Sequence, residues 1–404
     1  MLTGLLERTA LIPSPARSPE ATRSRWLRPG DRDVLWLYAA SRIGLWALAH
    51  CARWVFSADG GVRHPAGVLT PFERWDWTHF LAIAKNGYFP GRSGPWQAGW
   101  DHREAFFPGF PACLRLVHFV VPDWTVAGLL VSFVAGAVAV LALARIAEQE
   151  LADAAAGRRA ALLLLLSPCA VFLALGYSES LFLAFALPAW LAARRGDWGA
   201  ASLLAAFATA VRVSGLFLVA ALVVQFVVAG RARRATWRQW CEGLWFLFPF
   251  LPVAHFHWYL YTRTGDWSAW THAQQKGWGR EFYAPWETWQ HTWNSAFSHT
   301  QPISFAAEFQ LELCAAVAGL LLLAVLTARR RWAEAVYVLL NLAALASSFW
   351  YMSVPRATLL WWPLWIVLAK RSLASPRFTT GYLTVVAPLS TVVALAFFSG
   401  RWSG

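Results

Sequence analysis

The residues best suited to chemistry are Arg74-Trp75-Asp76-Trp77-Thr78-His79-Phe80, followed by Ala105-Phe106-Phe107-Pro108-Gly109-Phe110-Pro111. An acidic residue sits between tryptophans, just after the first long apolar run. The segment is too polar to be buried in lipid and too aromatic for an ordinary solvated loop. A carboxylate at a membrane surface, flanked by rings, suits work on a lipid-linked, sugar-like substrate. It can take the proton of an attacking hydroxyl and stabilise positive charge on a sugar ring. The competing reading of Asp76 is structural: an interfacial acid paired with Arg74, or a first-turn charge favoured by the helix dipole.

Few other ionisable residues sit within or at the ends of apolar runs, where a charge needs a partner or a function. Arg212 follows the run 198–211 and precedes Ser214-Gly215. It could hold a phosphate in bidentate fashion or snorkel to the interface. Arg356 is a second such cation, after Met352-Ser353-Val354-Pro355. Two arginines would suit a phosphate leaving group, whose developing charge needs fixed cations. Glu179 lies in Leu175-Gly176-Tyr177-Ser178-Glu179-Ser180, where Gly176 would permit a tight turn and Ser178 would cap a helix. Glu179 then reads as a structural first-turn acid or a site residue. Asp101, His102, Arg103 and Glu104 read by default as a solvated charged knot. His255 and His257, inside an apolar run, could face a polar cavity.

The elements that must position these groups are membrane helices. Of 404 residues, 58% are hydrophobic and only 14% charged, against about 25% charged in soluble domains. Eleven apolar runs recur, at 34–56, 124–146, 159–176, 179–193, 198–211, 214–229, 243–262, 308–328, 333–350, 358–369 and 378–399. Several are shorter than the roughly 20 residues a spanning helix needs, which predicts tilted, broken or half-helices. The runs do not alternate polar with apolar residues, so a β-barrel is excluded. The expected fold is an all-α polytopic bundle forming a single domain over 34–404, after a disordered, cytoplasmic tail at 1–33.

The net charge of +13 could suggest nucleic acid, but the arginines cluster in short connections, as membrane topology requires. With eleven spans, Arg17, Arg23, Arg25 and Arg28, then Arg158/Arg159, Arg194/Arg195, Arg231/Arg233/Arg234, Arg329/Arg330/Arg331 and Lys370/Arg371, all fall on one side. The positive-inside rule makes that side cytoplasmic. Two long connections, 57–122 and 263–307, then face outward. The first should contain a helix over 75–86 lying flat in the interface, with Trp75, His79 and Ile83, and Phe80 and Ala84 beside them, on its apolar face and Gly87 as its cap. The second carries Trp267, Trp270, His272, Gln274, Gln275 and Trp278, as interfacial anchors or as a sugar-binding surface. The five cysteines are scattered, with neither metal-site nor disulfide spacing. No glycine-rich phosphate loop is present, so a nucleotide-sugar donor is not supported and a lipid-linked one fits better. The basic residues are nearly all Arg and the spans Ala-rich, which points to a high-GC bacterial genome.

The motifs resemble those of the GPI mannosyltransferase II (PIG-V) family, within the GT-C superfamily of membrane glycosyltransferases. They run from Trp75-Asp76-Trp77-Thr78-His79-Phe80-Leu81-Ala82-Ile83-Ala84 and Gly87-Tyr88 through Ala105–Pro111. They continue with Pro168-Cys169-Ala170-Val171-Phe172, Gly176-Tyr177-Ser178-Glu179-Ser180-Leu181-Phe182 and Val211-Arg212-Val213-Ser214-Gly215. The resemblance implies a GT-C fold with an active site on the outer face of the plasma membrane. It implies a polyprenyl-phosphate-mannose donor and inverting transfer to a hydroxyl, with no metal or other cofactor. Asp76 takes the place of the catalytic Asp and Arg212 that of a phosphate ligand, which Arg356, the second cation read from the sequence, would join. His79, Glu104, Tyr177, Glu179, His257 and Trp278 are the expected supporting or substrate-binding residues. A bacterial chain would be an actinobacterial-type member, and bacteria make no GPI anchor. The acceptor is then an envelope glycolipid, a glycan or a protein hydroxyl. The alternative is a transporter or flippase of a lipid-linked sugar, although no internal repeat is evident.

Overall fold

The computed structural model describes residues 28, 30–56, 67–92 and 94–402. Most of the expected N-terminal tail, including Arg17, Arg23 and Arg25, lies outside the described residues, as does 57–66 at the start of the first long connection. Residues 31–33, expected in the tail, already belong to the first helix. Among the described residues there is no strand. In chain order the helices are α1 (Asp31–Val55), α2 (Asp76–Asn86), α3 (Gly109–His118), α4 (Trp124–Leu151), α5 (Ala154–Leu165), α6 (Ser178–Arg195), α7 (Trp198–Val211) and α8 (Ser214–Arg233). There follow α9 (Trp237–Cys241), α10 (Phe250–Thr264), α11 (Ala269–Trp278), α12 (Pro285–Phe297), α13 (Ile303–Ala328), α14 (Trp332–Leu345), α15 (Val354–Ala357), α16 (Trp362–Ala374) and α17 (Pro376–Ser399).

All eleven apolar runs contain helix, and the protein is a polytopic helical membrane protein. Among the described residues, α1, α4, α8, α13 and α17 are long and apolar enough to cross a bilayer unaided. The other runs carry shorter or broken helices, as their lengths predicted. The short members are real helices: α7 and α14 have 14 residues each, about 21 Å, against roughly 30 Å of hydrocarbon.

Some runs break inside the protein. The run 159–176 is α5, which stops before Pro168, and then a short 3-10 turn at Ala170–Leu173. The runs 333–350 and 358–369 are separated by irregular chain and the single turn of α15. Irregular backbone at membrane depth is tolerated where protein or a cavity surrounds it. Here its polar groups are satisfied locally. Ser180 Oγ donates to Leu173 O at 2.8 Å, and Glu312 of α13 accepts from the Ser353 and Val354 amides at 2.6 and 2.8 Å.

The expected interfacial helix is α2, and Gly87 ends it with φ +74° and its N–H on Ile83 O. Of its expected apolar face Phe80, Ile83 and Ala84 are buried, joined by Trp77, whereas Trp75 and His79 are not. Strict four-residue spacing drifts around a 3.6-residue helix, so Trp75 ends up 40% exposed. The apolar face packs into the protein core rather than down onto lipid.

Gly176 sits in the expected tight turn, with Tyr177 N–H on Leu175 O at 2.7 Å, and the Trp77 ring gives it a second role. A Cβ at Gly176 would lie 2.6 Å from the Trp77 ring, and one at Gly128 of α4 2.4 Å from it. The indole is clamped between two glycines. Gly176→Ala should therefore cost about 1–3 kcal/mol through overpacking, read as a lowered melting temperature in detergent. Adding Trp77→Phe should recover much of the loss. Wild-type melting of Gly176→Ala would refute the clamp.

Candidate active site

Asp76 stands at the start of α2 because of a turn the sequence does not advertise. Trp75 has φ 54° and ψ −120°. That is the first central position of a type II′ turn, where glycine is the usual residue. The turn closes with Trp77 N–H on Arg74 O at 3.2 Å. The Tyr177 hydroxyl donates to the same carbonyl at 2.8 Å. Tyr177 is thus a support for the turn that carries Asp76.

The Asp76 carboxylate does not pair with Arg74. Its Oδ2 meets Arg356 Nη1 at 2.7 Å, and Arg356 Nε donates to Glu179 Oε1 at 2.6 Å. Arg212 Nη1 donates to the same Glu179 oxygen and to Ser178 Oγ, the latter at 2.8 Å. The four groups form one alternating chain, Asp76–Arg356–Glu179–Arg212. Ser178 is the first residue of α6 and makes no side-chain cap; it serves Arg212 instead. Glu179 is fully buried, so it answers two guanidiniums rather than simply favouring a helix terminus.

Arg356 also lies over the rings of Phe172 and Tyr177, at 4.7 and 4.9 Å to their centroids. The carboxylates of Asp76 and Glu179 offset the cost of burying its charge. Its turn is fixed by Glu312, whose carboxylate takes the amides of Ser353 and Val354.

These groups border a cavity of about 400 Å³, within the range of small-ligand sites. Asp76, Ser178, Arg212, Arg280 and Arg356 line it with Phe106, Trp270 and Trp278. The two long connections meet here. Trp270 Nε1 and Gln274 Nε2, both on α11, donate to Ala105 O at 3.2 and 3.0 Å. Trp278 packs edge-on against Phe106, with centroids 5.2 Å apart.

The remaining expected residues are scattered around this centre. His79 stacks on Phe106 at 4.9 Å and approaches Trp278 at 5.7 Å, behind the cavity wall. Burial lowers its pKa and Asp76 partly offsets that. Glu104 is buried, not solvated, and accepts from Trp96 Nε1 at 2.6 Å, away from the cavity. Asp101 binds Arg103 and Arg92 at 2.6 and 3.0 Å. The knot is therefore structural. His257 bonds back to Val253 O within α10 at 3.0 Å and does not line the cavity. Sequence reasoning missed Arg280, Glu312 and the Ser178–Arg212 contact. Arg280 had one faint signal, a cation set among rings in Trp278-Gly279-Arg280-Glu281-Phe282.

Fold and site together define a polytopic helical membrane protein with a charged, ring-walled cavity where helix ends converge. A family model described as Mannosyltransferase (PIG-V) matches residues 63–290. The chain belongs to that family, as the sequence motifs implied. Among curated relatives it is 36% identical over 169 residues to GPI alpha-1,6-mannosyltransferase 2 of Homo sapiens, covering 39% of this chain and 32% of that protein. It is 35% identical over 167 residues to the Cricetulus griseus protein of that name, with the same two coverages. With the Rattus norvegicus protein it shares 31% identity over 224 residues, 48% of this chain and 42% of the relative. The chain thus spans about a third to two fifths of the length of these relatives.

Proposed function

We propose that the protein is a membrane glycosyltransferase of GT-C type that moves a mannose from a polyprenyl-phosphate donor to a hydroxyl. The observation that carries this reading is the Asp76 carboxylate, held by an arginine at the edge of a cavity walled by aromatic rings. Mannose is taken from the family and from the names of the relatives. The acceptor hydroxyl belongs to an envelope glycolipid, a glycan or a protein.

In the proposed reaction the acceptor oxygen attacks the anomeric carbon on the face opposite the phosphate, which inverts that centre. Asp76 removes the hydroxyl proton as the new C–O bond forms. The bond from the anomeric carbon to the phosphate oxygen breaks, and its electron pair leaves with the polyprenyl phosphate. Fixed guanidiniums stabilise that growing negative charge without reorganising. Trp270 and Trp278 offer flat apolar surfaces to the C–H faces of the sugar. The arginine clusters orient the chain with its N-terminus in the cytoplasm and this cavity on the outer face.

Purified protein in detergent, given polyprenyl-phosphate mannose and a membrane extract, should consume the donor and yield free polyprenyl phosphate with a mannosylated product. A flippase has nothing to do in detergent. Unchanged donor would therefore reject the transferase reading.

A further inference from the structure

Three arginines line the cavity, and they are not equivalent. Arg356 is bound by Asp76 and Glu179, and Arg212 by Glu179 and Ser178. Arg280 has no carboxylate within ion-pair distance among the described residues, and its Nε is buried without a hydrogen-bond partner. An unpaired buried donor on a charged group is costly, and a site that keeps one is set up for a ligand. Burial and the charges of Arg212 and Arg356 all press against the Arg280 cation, which shows how closely the three guanidiniums crowd one space. Asp76 and Glu179 are paired with Arg356 and Arg212. Glu312, which with Asp76 favours the Arg280 cation, is held by the Ser353 and Val354 amides. Arg280 alone of the three arginines therefore has no carboxylate bonded to it among the described residues.

We infer that Arg280 is the residue that captures the donor phosphate, while Arg212 and Arg356 mainly hold the carboxylates in place. This rests on the transferase reading and names the ligand of one residue within it. The chemistry favours an uncommitted cation. The donor phosphodiester carries one negative charge, whereas the departing phosphomonoester carries about 1.5 to 2 at neutral pH. A guanidinium without a carboxylate partner gains attraction as that charge grows, so it stabilises the transition state more than the bound donor. The placement is local: α11 is docked on Ala105 O through Trp270 and Gln274 and ends at Gly279, φ +60°. That left-handed residue turns the chain so that Arg280 follows directly over the cavity.

The test uses full-length protein in detergent, with polyprenyl phosphate as competitor against the donor and uncharged polyprenol as control. Arg280→Gln should weaken inhibition by polyprenyl phosphate by at least about tenfold, the scale of a lost charged hydrogen bond. It should lower kcat more than it raises the donor KM. Inhibition by polyprenol should not change. Arg280→Lys should recover part of the phosphate effect, and Lys276→Gln, an exposed charge on the preceding helix α11, should have none. A folded Arg280→Gln protein with wild-type inhibition by polyprenyl phosphate would overturn the assignment while leaving transfer by Asp76 standing. Loss of folding in both Arg280 variants would make the residue structural and equally overturn it. A wild-type protein that neither transfers nor binds polyprenyl phosphate would instead remove the transferase reading itself.

Discussion

Asp76→Asn is expected to reduce transfer by a factor on the order of 100 to 10,000, the usual contribution of a positioned general base. The substitution keeps the shape and one oxygen but cannot accept the hydroxyl proton. Most of the loss should fall on kcat, because the proton moves only as the new bond forms. The fold should survive. Arg356 keeps its bond to Glu179 and its place over Phe172 and Tyr177, and the Trp75 turn is tied by Tyr177 rather than by the Asp76 side chain. Donor turnover measured at saturating donor, beside a thermal melt, checks both halves. Transfer at the wild-type rate by a folded Asp76→Asn protein would remove Asp76 from the chemistry.

Glu179→Ala should do more damage to the protein than to any single contact. Its carboxylate is fully buried and one oxygen answers two guanidiniums. Removing it leaves Arg356 with Asp76 alone and Arg212 with only Ser178, two like charges facing each other at the cavity edge. Breaking a buried ion pair in this way costs about 3–5 kcal/mol. A much lower melting temperature and little folded protein are the expected result. Glu179→Gln should be milder, since an amide oxygen still accepts from Arg356, yet it should lose activity because the two cations are no longer balanced. If Glu179→Ala melts like the wild type, the four-group chain is not holding the site together.

The broad architecture was legible because it depends on local composition. Apolar runs mark helices wherever they occur, and α7 falls on its expected run to the residue. The breaks were not legible. Ala170-Val171-Phe172-Leu173 is as apolar as a spanning helix, and only the Pro168 before it hints that the chain leaves α5 there. The site was legible residue by residue but not as an arrangement. Asp76, Arg212, Glu179 and Arg356 each drew attention as charges among apolar residues. That Arg356 reaches across 177 positions to Glu179 is a property of packing, which no spacing rule encodes. Arg280 escaped notice because the second long connection is polar enough for one more cation to look ordinary. The tight turn at Gly176 was legible, but its second role was not, since that is set by the Trp77 ring from another part of the chain.

The turn before Asp76 has a consequence for how this chain could be engineered. Trp75 occupies a backbone conformation that costs a residue with a side chain about 1–3 kcal/mol. Trp75→Gly would remove that tension, and a screen for thermal tolerance alone would favour it. Yet the bulky ring, edge-on to Trp402 with centroids 5.3 Å apart, and the stiff turn also narrow the directions in which the neighbouring carboxylate can swing. Selection for robustness and selection for turnover would therefore pull this one position in opposite directions.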